Sequence, residues 1–184
     1  MIHTFSKDQE VAFTSAWWAR TVRDEPKLIK FLQKLQQTEI GGFDDYQEYV
    51  GRFEMDDRTK KIYQNIADDE LKHSGLIIDL LESRGFKSSL DPMPSSYWTE
   101  MNSKIVDLET ASAVNYFGEA LAAFRFEVMI DHVDTPADIK EMLSIILPDE
   151  QFHRQTLKRL AGDKLEEFAE YHARAMAALK NSKA

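Results

Sequence analysis

The chain contains no cysteine. Disulfides, iron–sulfur clusters and a thiolate-held rubredoxin-type iron are thereby excluded. Glycine and proline are sparse, 7 and 5 in 184 residues, so long uninterrupted helices are allowed. No stretch approaches the ~20 apolar residues of a membrane span. The longest apolar patch, residues 75–81, is already broken by Asp79. The first ten residues are polar and acidic, unlike a secretory signal, so a cytoplasmic location is the expectation. Positive charge is also in deficit: 23 Lys and Arg against 32 Asp and Glu give a net charge of −9. That balance argues against nucleic acid or an anionic membrane as partner.

What is present is helical periodicity, nearly everywhere and with no convincing strand. A first amphipathic stretch covers about 6–23, with Ser6 as N-cap and Gln9 three residues on. Asp24 can cap a second helix, about 25–54, whose apolar stripe is Leu28, Leu32, Leu35, Glu39, Phe43, Tyr46, Val50 and Phe53. A third, about 57–84, has the stripe Ile62, Ile66, Glu70, His73, Ile77 and Leu80, with Gly85 as its stop. Pro92 and Pro94 make residues 86–97 a connector, long enough to cross over along a bundle. A fourth helix begins near Trp98 or later and covers about 107–133, with Leu108, Ser112, Asn115, Glu119, Ala122, Phe126, Met129 and Val133 on one face. A fifth is predicted with Thr135 as N-cap and Pro136 at N1, with the stripe Ile139, Met142, Ile146, Glu150, His153, Leu157 and Leu160. Pro148 interrupts it and should kink its axis, either aiming Glu150 or merely being tolerated. A last helix, about 163–181, carries Leu165, Phe168, Ala169, His172, Met176 and Leu179. The fold class is therefore all-α: a single domain over 1–184, with a four-helix core at about 25–161 and one extra helix at each end.

Within that pattern Glu39, Glu70 and His73 recur as Glu119, Glu150 and His153, each at an offset of 80 residues. Positions i and i+3 share a helix face, so each Glu-x-x-His motif can offer a carboxylate and an imidazole to one ion. With one Glu from each of two further helices, the set matches the pattern that holds two iron or manganese ions in a bundle. Glu39 and His73 are assigned to one ion, Glu119 and His153 to the other, and Glu70 and Glu150 to bridging. The competing reading is a polar seam or hydrogen-bonded layer, which in its weakest form makes the protein a helical interaction module. Against it, all six residues sit on otherwise apolar stripes that carry no Lys or Arg, and buried Glu is costly unless paired or metal-bound. Oxygen and imidazole donors without thiolate suit iron, manganese or a mixed pair more than structural zinc.

Asp69 and Asp149 repeat at the same offset. Asp69 can accept the second N–H of His153, and Asp149 that of His73; a plain surface role for both is the alternative. Tyr116, one turn from Glu119, is either a phenol near the site or, the preferred reading, a core tyrosine with its hydroxyl at the bundle edge. Gly41 and Gly42 can open a channel, form a π-bulge or permit close packing, with packing preferred. His3, His132 and His172 lack a partner at ligand spacing.

At these residues the chain resembles the ferritin-like superfamily, in particular its four-Glu, two-His members: rubrerythrins, bacterioferritins and small di-iron oxidases. The resemblance covers about 25–161. It implies a ferritin-like four-helix bundle whose dimetal centre reacts with dioxygen or peroxide, with Glu39, Glu70, His73, Glu119, Glu150 and His153 as ligands. There are departures. Rubrerythrins usually carry a cysteine-bound iron, which this chain cannot. The additional Glu they tend to have near the third bundle helix's ligand is absent, with Tyr116 and Ala122 three residues either side of Glu119. Leu71 replaces the Met by which bacterioferritins bind haem, so no haem is expected. The N-terminal helix is unlike storage ferritins. The leading expectation is a non-haem di-iron oxidoreductase. Its implied partners are dioxygen or peroxide, a small apolar organic substrate where there is one, a separate electron donor and a second copy in a homodimer. The alternative is an iron-oxidising, iron-binding or peroxide-protection protein with no organic substrate.

Overall fold

The computed structural model describes residues 6–88 and 95–181, with 178–181 as backbone only. His3, Pro92, Pro94 and the side chain of Leu179 lie outside the described residues. Every regular element among those described is helical: α1 (Lys7–Val22), α2 (Glu25–Arg52), α3 (Asp57–Ser83), α4 (Ser96–Asn102), α5 (Leu108–Asp131), α6 (Ala137–Ala161) and α7 (Lys164–Asn181). None is long and apolar enough to cross a membrane.

Local chemistry explains most boundaries. Ser6 and Gln9 form a reciprocal capping box at the start of α1, and the Asp24 carboxylate accepts from Lys27 N at the start of α2. Gly85 ends α3 at φ 79°, where Phe86 N donates to Leu81 O and Gly85 N to Glu82 O, both at 2.9 Å. This double bond is the Schellman arrangement, and Phe86 completes it by packing on the core.

Helices α2, α3, α5 and α6 form the bundle. α2 packs on α3, α5 packs on α6, and the two pairs meet along α3 and α6. One apolar cluster gathers Leu28 and Leu32 with Ile77, Leu81, Phe126, Met129, Ile139 and Ile146. Another gathers Tyr46 and Tyr49 with Tyr63, Ile66, Ala111 and Leu157. The start of α2 and the end of α3 therefore share one end of the bundle with the end of α5 and the start of α6. The end of α3 and the start of α5 thus lie at opposite ends of the bundle, as expected for helices joined by a crossover. α1 packs on α2 and α5, while α7 packs on α4, α5 and α6.

Two expectations need correction. The segment before the fourth bundle helix is a separate short helix, α4. The chain then turns at 103–107, and α5 starts afresh under an Asp107–Thr110 capping box and ends at Asp131, so Val133, expected on its apolar face, lies beyond it and is exposed. At α6 the cap lies one residue later than expected: Pro136 occupies the N-cap position and no side chain caps it. Thr135 is engaged elsewhere. Its hydroxyl donates to Met129 O and accepts from Trp18 Nε1 at 2.7 Å, tying α1 to the α5–α6 turn. α6 continues through Pro148.

Trp18 is fully buried, so removing its acceptor strands an indole N–H. The Thr135→Val variant is expected to lose about 1–3 kcal/mol of stability in urea unfolding, without change in helix content.

Candidate metal centre

Each bundle helix delivers its polar residues at the level between the two apolar clusters: Glu39 from α2, Glu70 and His73 from α3, Glu119 from α5, Glu150 and His153 from α6. None of the six is more than 9% exposed, and both histidines are fully buried. Donor atoms of Glu39, Glu70, His73 and Glu150 all lie within 4.8 Å of one another. So do those of Glu70, Glu119, Glu150 and His153. Two four-residue groups thus share Glu70 and Glu150.

The imidazoles face in two directions. Nδ1 of His73 points inward, 3.4 Å from Glu39 Oε2 and 3.3 Å from Glu150 Oε1. Nδ1 of His153 lies 3.3 Å from Glu70 Oε1. The outer nitrogens meet aspartates from the facing helix: His73 Nε2 lies 3.2 Å from Asp149 Oδ2, and His153 Nε2 lies 3.3 Å from Asp69 Oδ2. Each aspartate therefore reaches across to the other half's histidine. A carboxylate at Nε2 retains a proton there and turns the Nδ1 lone pair inward. The four buried side-chain atoms without a hydrogen-bond partner among the described residues are Nδ1 of His73 and of His153 and Oε1 of Glu70 and of Glu150. All four belong to this cluster and converge on it. Buried polar atoms are nearly always satisfied, so this set fits cation ligation and not a hydrogen-bonded polar layer.

Electrostatics point the same way. Burial, then the charges of Glu119, Glu39 and Glu150, push the Glu70 carboxyl well up. Glu119 is raised by burial and by Glu150. Glu150 is pushed up to about 8, chiefly by burial. His73 is raised as well: burial opposes its charge, but Glu39 and Asp149 outweigh it.

The phenol at the site is Tyr46, not Tyr116. Tyr46 is buried, and its hydroxyl donates to Glu119 Oε1 at 3.1 Å. Burial and the nearby carboxylates keep that phenol protonated. Tyr116 packs beside Phe117 and lines a groove with Gly162 and Leu165 at the α6–α7 turn. The signal for Tyr46 lay in its position seven residues after Glu39 on one stripe. His172 is structural, bonded to Tyr97 at 2.8 Å and stacked on Phe117. His132 Nδ1 accepts from Asp134 N.

A cavity of about 380 Å³ opens onto the carboxylates, lined in part by Gly41, Gly42, Trp98, Gly118 and Ala122. The glycines of α2 do not serve close helix packing, the preferred expectation, and the helix is regular through them. A Cβ on Gly41 would meet nothing within 4 Å, while one on Gly42 would lie 3.2 Å from Glu70 Oε2. Gly42 thus clears room for a carboxylate. The packing glycine is Gly118, where a Cβ would collide with the Trp98 ring.

Raised carboxyl pKa values mean that the native metal-free protein binds more protons than the unfolded chain between about pH 4.5 and 8. Its stability must then fall as pH rises through that window. The melting temperature of the metal-free protein is expected to drop by about 5 °C or more between pH 5 and pH 8. Saturating divalent iron or manganese should abolish that drop.

The family model for rubrerythrin matches residues 30–161. No curated protein and no solved structure matches the chain. The matched span holds all six residues of the cluster and leaves α1 and α7 outside it. Despite its lack of cysteine, the chain belongs to the rubrerythrin family, whose members hold di-iron centres.

Proposed function

We propose that the protein is a non-haem dimetal oxidoreductase, di-iron in its working form, that reacts with dioxygen or peroxide. The supporting observation is the pair of donor groups sharing Glu70 and Glu150, with four orphaned buried atoms turned into the space between them. In this reading Glu39 and His73 hold one ion, Glu119 and His153 hold the other, and Glu70 and Glu150 bridge. Two ions so held supply redox chemistry toward dioxygen or peroxide. Asp149 and Asp69 fix the tautomer and ring angle of the histidines, and Tyr46 restrains the Glu119 carboxylate. With no cysteine available for an iron relay, electrons come from a separate donor. α1 and α7 complete the same folded unit as the bundle. The cavity at the carboxylates favours a reaction with an organic substrate over iron storage alone.

Freshly purified protein is expected to hold two ions per chain by elemental analysis. Glu70→Ala and His153→Ala should lose both together while circular dichroism remains helical; full metal content in either variant would overturn the assignment. Asp69→Asn and Asp149→Asn should keep the sites but weaken metal affinity about 10–100-fold, read by competition with a chelator.

A further inference from the structure

The cavity beside the carboxylates is electrically polar along its length. α2 forms one wall, with Lys34 towards one end and Asp44 and Asp45 towards the other. At 1.5 Å per residue, Lys34 lies about 7.5 Å before Glu39 along the helix axis, and Asp45 about 9 Å beyond it. Burial, with Glu48 and Asp44 nearby, raises the Asp45 carboxyl to about 6, so that end is anionic at neutral pH.

The cationic end is unusual in what it lacks. Lys34 is half-buried, and its ammonium makes no ion pair or hydrogen bond among the described residues. Arg125 lies on α5, one turn beyond the cavity-lining Ala122, and stands behind the cavity wall without lining it. Its guanidinium also has no ion-pair or hydrogen-bond partner among the described residues, although the fields of Tyr97 and Glu10 reach it. The two cations are close enough to repel: burial first, then Arg125, then Lys30, lowers the pKa of Lys34. Unpaired cations crowded into a partly desolvated site are stabilised by an anion placed between them.

We propose that this end of the cavity binds the carboxylate of a small organic acid, whose remainder lies along Gly41, Gly118 and Ala122 toward Glu39 and Glu119. Lys34, which lines the cavity, supplies the charge-assisted contact, and Arg125 adds positive field from behind it. The cavity volume, about 380 Å³ and small among ligand pockets, suits an occupant about the size of a single substituted ring. Asp44 and Asp45 disfavour a second carboxylate at the far end, so the occupant is a monocarboxylate. The inference names the substrate class for the dimetal reading; it rests on that reading for which end of the molecule reacts, and not for the binding itself.

The test uses the full chain with its metals, under anaerobic conditions, titrated with benzoate and with its neutral counterpart benzamide. Binding is read by calorimetry and by tryptophan fluorescence, since Trp98 lines the cavity. Benzoate is expected to bind about tenfold or more tighter than benzamide. Lys34→Gln should erase that preference while leaving benzamide affinity and metal content unchanged. Gly41→Leu should abolish binding of both probes, because a side chain there enters open cavity without collision. Equal affinity for the two probes, no saturable binding of either, or an undiminished benzoate preference in Lys34→Gln would each overturn the proposal; the last outcome would mean that the metals hold the carboxylate. Metal content is measured on the same samples. Loss of the dimetal reading with the Lys34-dependent preference intact leaves this inference standing, whereas full metal content without the preference defeats this inference alone.

Discussion

Four glutamates buried at one level of a helical bundle are the constraint around which the rest of this molecule is arranged. Carboxylates so close repel one another and have lost their water, and two imidazoles cannot offset four negative charges. The fold tolerates them because apolar clusters on both sides hold the helices in place. Leu28, Ile77, Phe126 and Ile146 pack at one end, and Tyr46, Tyr63, Ile66 and Leu157 at the other. The polar layer is thereby held open with atoms unsatisfied, and the bundle gives up stability there that cation binding would restore.

The same constraint explains the small residues around the site. Gly42 makes way for the Glu70 carboxylate, and Gly118 admits the Trp98 ring from α4. Trp98 reaches α5 only because the chain breaks after α4 and restarts at Asp107, so the crossover doubles as a wall of the cavity. Access to the carboxylates is therefore built from the segment that lies outside the internal repeat.

Much of this was legible in the sequence. The stripes of three- and four-residue steps located the bundle helices, because amphipathic faces must be buried. The 80-residue repeat brought six donors to one level, since i and i+3 positions on packed helices have few other places to go. Even the crossed aspartates followed, because residues 69 and 149 are turned from the motif glutamates toward the neighbouring helix. Features depending on tertiary competition were not legible. Thr135 has good N-cap chemistry, but Trp18, 117 residues earlier, claims its hydroxyl. Tyr116 is nearer to Glu119 in sequence than Tyr46 is, yet it turns toward α7. Gly41 and Gly42 stood out as anomalies, but only coordinates separate space for a carboxylate from space for a helix.

Lys72 shows where the internal repeat stops being symmetrical. Its ammonium lies 3.3 Å from Asp149 and 3.8 Å from Asp69, so one cation leans on the supports of both histidines. The equivalent position in the second half is Phe152, exposed and uncharged. Asp149, the nearer carboxylate, is held below the ordinary aspartate range: His73 and Lys72 outweigh the opposing effect of burial. Near-duplicate halves thus set their two histidines in unequal fields, and a single unmatched charge makes the difference.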